Sequence, residues 1–329
     1  MSDIVPRLDT SMIALTANTV AAEHVFESYQ KRKSPQTQRR QKFDLLTFQQ
    51  FLEEVRIDID DLYVNPSSWS DLSWGLVEAY VAWMLNTGYA IGSINVRLST
   101  VKTYAQLAFK AGAMTGEQNA LIHTVQGFRG AEAVHVNAAR SVTHIGSKQT
   151  RTLTDDEVNV LKFEYDSTPQ ARRDMFLMTV LLDHGLRTGE MNLLKVGDFT
   201  DGFMRFYRPK VNKWSTHELT KDTRNALTNY GDYKPKDKKA PILKASLKDG
   251  SLTFEGMTAN AISDRVRVIG AERGIEGLSA HDCRHSWATR AARKGTDPFA
   301  LQEAGGWSSL AMPRRYIEEA KIANQGVKL

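Results

Sequence analysis

A single cysteine, Cys283, stands in 329 residues, so no intrachain disulfide is available. Its place inside a His-Asp-Cys-Arg-His run fits a small buried apolar residue of a helix. No continuous apolar stretch reaches the length of about 18 residues that a spanning helix needs. The opening segment, MSDIVPRLDTSMIALTANTV, lacks a basic region followed by an apolar one, so it does not read as a secretory signal. Metal-ligand spacing of Cys and His is missing, as are a phosphate-binding P-loop, an internal repeat and any low-complexity tract. These absences point to an intracellular, reducing location, with no cofactor, no metal and no membrane partner.

What is present is an ordinary globular mixture, 41% hydrophobic and 25% charged. At this length two domains are expected. The net charge is +5 and the pI about 9.1, an excess that permits a nucleic-acid partner without requiring one. Clustering is more telling. Residues 203–248 carry twelve Lys/Arg against four acids, a segment that is either a solvated hairpin with a polar loop or a phosphate-contacting surface.

Periodicity divides the chain. Residues 1–18 read as a flexible leader. Residues 19–125 read as an all-α unit of four or five helices. Pro35 interrupts the first helical stretch, Leu72 to Asn86 stops before Gly88, and Ser93 serves as N-cap for a helix to about Ala111. Residues 126–151 lose periodicity and read as a linker, with at most a short helix at its start. The second unit, residues 152–329, opens with Thr154 as N-cap and Glu157 three residues on. A buried helix from Arg173 ends near Gly185. Alternation over 203–220 reads as a hairpin turning near Val211-Asn212, and helices follow at Thr258–Arg273 and His281–Lys294.

The chemistry concentrates in the second unit. His281-Asp282-Cys283-Arg284-His285, then Gly305-Gly306-Trp307, then Tyr316 lie in order, with Tyr316 nine residues after Trp307. Upstream stands Gly185-Leu186-Arg187-Thr188-Gly189-Glu190. Each fragment alone has a plain structural explanation, Arg187 as a helix-end arginine for example. Together, two guanidinium forks fit the non-bridging oxygens of a phosphodiester, and a phenol is a nucleophile for its phosphorus.

This ordered set resembles the tyrosine recombinase, or phage integrase, family of site-specific DNA recombinases. Arg187 and Glu190 match its first arginine motif, His281 and Arg284 its His-x-x-Arg motif, Gly306-Trp307 its Gly-His/Trp pair, and Tyr316 its nucleophile. Trp307 stands where many members have histidine; indole donates one hydrogen bond but shuttles no proton. The resemblance implies a mainly α fold with a small antiparallel β-sheet in the C-terminal domain, arranged as a two-domain C-shaped clamp on DNA. It implies a 3′-phosphotyrosyl intermediate and His281 as base or relay. A β-hairpin lysine acts as acid, Lys210 or Lys213, with Lys210 favoured by its spacing after the strand. Glu190 and His285 are expected to support these groups, and Arg97, Lys102 and Lys213 to meet DNA. The implied partners are double-stranded recombination sites, a homotetramer on DNA and accessory DNA-bending factors, in a nucleoid-associated cytoplasmic setting. The alternatives are a type IB topoisomerase-like relaxing enzyme and a catalytically silent DNA-binding accessory protein.

Overall fold

The computed structural model describes residues 10–138 and 151–320. The chain divides into two compact units, Met1–Lys148 and Gln149–Leu329.

The first unit is helical: α1 (Thr10–Glu23), α2 (Val25–Lys31), α3 (Pro35–Glu54), α4 (Trp74–Asn86), α5 (Ile91–Lys110), α6 (Gly116–Thr124) and α7 (Gly130–Ala138). Ser34 caps α3 through the Thr37 amide, and Pro35 occupies its first turn, where a missing N–H costs nothing. α5 is the central element, packed by α3, α4 and α6. Around it Phe48, Trp69, Tyr80 and Tyr104 form an aromatic core with no solvent exposure, and the Trp69 indole donates to the Leu62 carbonyl at 3.0 Å.

Two expectations change here. α5 begins at Ile91 with Ala90 as its extended N-cap, and Ser93 sits inside the first turn: the chain reverses at Gly88 (φ 95°), and burial of Ile91 starts the helix earlier. Part of the expected leader, Thr10 onward, is helical, and residues 1–9 lie outside the described residues. α7 is a short helix of the kind allowed near the start of the expected linker; residues 139–150 also fall outside the described residues.

The second unit comprises α8 (Asp155–Phe163), α9 (Pro169–His184), α10 (Thr188–Met191), β1 (Phe199–Thr200), β2 (Phe203–Arg208), β3 (Lys213–Glu218), α11 (Lys221–Tyr230), β4 (Lys244–Ser246), β5 (Leu252–Gly256), α12 (Ala259–Glu272), α13 (Ala280–Arg293), α14 (Pro298–Gly305) and α15 (Ala311–Ala320). Thr154 and Glu157 form the expected capping box on α8. α9 is buried along most of its length and packs against α8, α11 and α13. Two antiparallel sheets stand where one was expected: β1-β2-β3 and the pair β4-β5. β2 and β3 run from Phe203↔Glu218 to Arg208↔Lys213, and Asn212 adopts φ 50° in the connecting turn. No helix among the described residues is long and apolar enough to cross a membrane.

Candidate active site

Arg187 owes its position to the end of α9. Gly185 takes the left-handed conformation (φ 62°, ψ 29°) that closes the helix. A Cβ there would stand 2.3 Å from the Trp287 ring, so the residue is fixed by both backbone and space. Leu186 plugs the core and Arg187 emerges as the N-cap of α10. Buried Glu190 accepts from the Arg187 amide at 3.0 Å and from its Nη1 at 2.8 Å.

Arg284 lies on α13, whose start is secured by a Ser279–Asp282 capping box. His281 is exposed in the first turn, one turn ahead of Arg284. Arg284 is buried. Its Nη1 donates to the Gly185 carbonyl and its Nη2 to the Gly305 carbonyl, each at 2.5 Å, and the guanidinium lies 4.6 Å from the Trp307 ring centroid. Burial, reinforced by Arg187 and Arg208, pulls its pKa down to about 9, while Glu190 and Tyr316 pull the other way. It therefore remains a cation at neutral pH.

The turn after α14 completes the constellation. Gly306 is left-handed (φ 60°), and its missing side chain leaves room for Arg208, whose Nη1 would stand 2.6 Å from a Cβ. Trp307 then packs on Tyr316, with centroids 5.7 Å apart, and on Trp287 at 6.2 Å. Tyr316, on α15, is 3% exposed. The histidine ring against it is that of His285, at 5.2 Å.

The remaining sequence-predicted residues fall elsewhere. Lys210 is exposed on the β2–β3 turn, and Lys213 donates to Glu303 at 3.3 Å on an open surface. Lys102 directs its ammonium at the carbonyls of His123 (2.9 Å) and Val125 (2.5 Å), closing the end of α6. Arg97 is half-buried, 4.8 Å from the Tyr89 ring centroid and 5.8 Å from that of Phe43. Within the basic segment 203–248, Arg208 is fully buried and so is not part of a phosphate-contacting surface. Period-two alternation would have found this, because Arg208 shares the inward face of β2 with Met204 and Phe206. No set of three or more His, Cys, Asp or Glu side chains among the described residues is grouped to hold a metal ion.

A helical unit joined in one chain to a catalytic unit that carries two arginines, a histidine-bearing helix and a buried tyrosine defines a tyrosine recombinase. The chain belongs to the phage integrase family, whose sequence profile matches residues 151–322. It is 27% identical over 298 residues to tyrosine recombinase XerC of Caldanaerobacter subterraneus subsp. tengcongensis, an alignment spanning 87% of this chain and 78% of that one. The fold matches that of the Tn1549 transposon integrase in complex with a circular intermediate DNA, with a TM-score of 0.60 at 14% identity, covering 90% of this chain and 94% of that one. It also matches a lambda integrase dimer bound to a COC′ core site, with a TM-score of 0.55 at 16% identity, covering 93% and 97%.

Proposed function

We propose that the protein cleaves and rejoins duplex DNA at specific sites with Tyr316 as its nucleophile. The observation that carries this reading is the seat of Tyr316. Its ring packs on Trp307 and His285, and the same Trp307 ring lies 4.6 Å from the Arg284 guanidinium. In the reaction the Tyr316 oxygen attacks the scissile phosphorus and the bond to the 5′ oxygen breaks, leaving a 3′-phosphotyrosyl link. Arg187, held by Glu190, and Arg284, held by two carbonyls, clamp the non-bridging oxygens. His281 takes the phenolic proton, which an unperturbed phenol of pKa about 10 would not give up unaided at neutral pH. Lys210 protonates the leaving 5′ oxygen. The Trp307 indole donates to the phosphate, and His285 orients the phenol.

A partner strand's 5′-OH then reverses the attack and releases Tyr316, so no nucleotide is consumed. Exchange between two duplexes takes four active tyrosines, hence a homotetramer on DNA. Arg97 and Lys213 then supply phosphate contacts, accessory DNA-bending factors assist assembly, and the setting is the cytoplasm and its nucleoid.

The arginine pair does the charge neutralisation that a divalent cation performs in other nucleases. Incubation with duplexes from the protein's own genomic neighbourhood, in excess EDTA and without nucleotide, should therefore give cleavage and rejoining at a defined site. Activity lost on chelation and restored by Mg²⁺ would overturn the mechanism.

A further inference from the structure

Arg208 is the last residue of β2, two positions before Lys210, and its side chain is fully buried. Its Nε donates to Ser215 Oγ at 2.8 Å, across the hairpin. Nη2 donates to the Ala304 carbonyl at 2.6 Å, and Nη1 to the Gly305 carbonyl at 3.1 Å. Nη1 also lies 3.5 Å from Glu190 Oε1, and Nη2 lies 3.3 Å from His217 Nε2. Ala304 and Gly305 are the last residues of α14, so Arg208 satisfies helix-end carbonyls that have no partner within their own helix.

Burying a guanidinium is unfavourable unless its donors are met, and an apolar residue would fill an inward-facing strand position more simply. What the guanidinium does that an apolar residue cannot is bind two elements distant in sequence. The hairpin ladder ends at Arg208↔Lys213, leaving Pro209, Lys210, Val211 and Asn212 in the turn. The ion pair from Lys213, at the start of β3, to Glu303 of α14 is solvent-exposed at both ends and correspondingly weak. Arg208 and Arg284 also share the Gly305 carbonyl, and Arg208 and Arg187 share Glu190 Oε1. The side chain that anchors the Lys210 turn therefore touches the supports of both arginines.

We propose that Arg208 is a positioning residue for the leaving-group acid, fixing the root of the β2–β3 hairpin to the end of α14 so that Lys210 meets the departing 5′ oxygen. The inference rests on the reading of Lys210 as that acid. In the step concerned, the electron pair of the breaking P–O bond goes to the 5′ oxygen, which takes a proton from the Lys210 ammonium. When sulfur replaces that oxygen, the thiolate departs without a proton.

The test is single-turnover cleavage of a duplex with either oxygen or a 5′-bridging sulfur at the scissile position. Wild type, Lys210→Ala, Arg208→Met and Arg208→Lys are compared, with thermal unfolding and gel-shift DNA binding as controls. Arg208→Met should lose about tenfold to a hundredfold on the oxygen substrate and come within about threefold of wild type on sulfur, as Lys210→Ala does. Arg208→Lys keeps the charge without the fork and should show the same pattern more mildly; it carries the comparison if Arg208→Met does not fold. Equal losses on both substrates, with Lys210→Ala rescued, would overturn the role of Arg208 while leaving that of Lys210 intact. If sulfur fails to rescue Lys210→Ala, the acid assignment itself falls, and the role of Arg208 with it. Failure of both Arg208 variants to fold would make the residue purely structural and equally overturn the inference.

Discussion

Glu190 is the residue on which the two sides of the site meet. Its buried carboxylate binds the Arg187 amide and guanidinium, and one of its oxygens faces Arg208. Glu190→Gln keeps the shape but puts an N–H donor where an acceptor was needed and leaves two guanidinium groups without their counter-charge. A buried donor left unsatisfied costs about 1–3 kcal/mol, and each 1.4 kcal/mol is worth about tenfold in rate. Cleavage by Glu190→Gln should therefore fall about tenfold to a hundredfold, with DNA binding much less affected, as single-turnover assays beside gel shifts would record. An unchanged cleavage rate would mean that Arg187 is held by something else. His184 and His217 form a second residue-scale case. Burial pushes His184 down to about 4 and His217 to about 3 from an ordinary 6.5, so both are neutral in the folded chain. Below about pH 6.5 the unfolded chain binds protons that the folded chain refuses, so stability falls as pH drops toward 4. Urea unfolding at about pH 7 and about pH 5 should show that loss, and His217→Asn should reduce the difference. An identical pH slope in the variant would contradict a buried neutral His217.

At the scale of elements, Lys102 shows how a charged residue can be structural. It closes α6 by donating to two backbone carbonyls, and burial lowers its pKa. Lys102→Ala should cost about 1 kcal/mol of stability, measurable as a lowered denaturant midpoint. A variant with wild-type stability and weaker DNA binding would instead make Lys102 a phosphate contact. Much of the architecture at this scale was legible because its signals are local. Thr154 and Glu157 announce a capping box, Gly185 announces a helix end, and alternation marks β2 and β3. What escaped depends on distant partners. The order of Arg187, His281, Arg284, Trp307 and Tyr316 could be read along the chain, yet that Trp307 and His285 flank Tyr316 could not. Alternation could place Arg208 on the inward face of β2, but not its bonds to the end of α14. The β4–β5 pair is short and irregular, with a register shift between Lys244 and Ser246, and leaves little alternation to read.

At the scale of the whole molecule, each unit has its own core: one around Phe48, Trp69, Tyr80 and Tyr104, another around α9 with Phe176, Phe206 and Tyr230. Independent cores are expected to fold independently. Residues 149–329 expressed alone should therefore melt cooperatively in calorimetry, and a broad, non-cooperative transition would argue against self-sufficiency. The groups proposed to act on the scissile phosphate all belong to this second unit. The most direct measurement is the identity of the residue that becomes joined to DNA. A nicked duplex carrying the target site should trap the protein, and proteolysis with mass spectrometry should place the 3′-phosphate on Tyr316. Tyr316→Phe removes one oxygen and no phosphate contact, so it should give no covalent band on a denaturing gel while still shifting the duplex on a native one. An adduct on another residue, or a covalent band that survives Tyr316→Phe, would contradict a phosphotyrosyl mechanism centred on Tyr316.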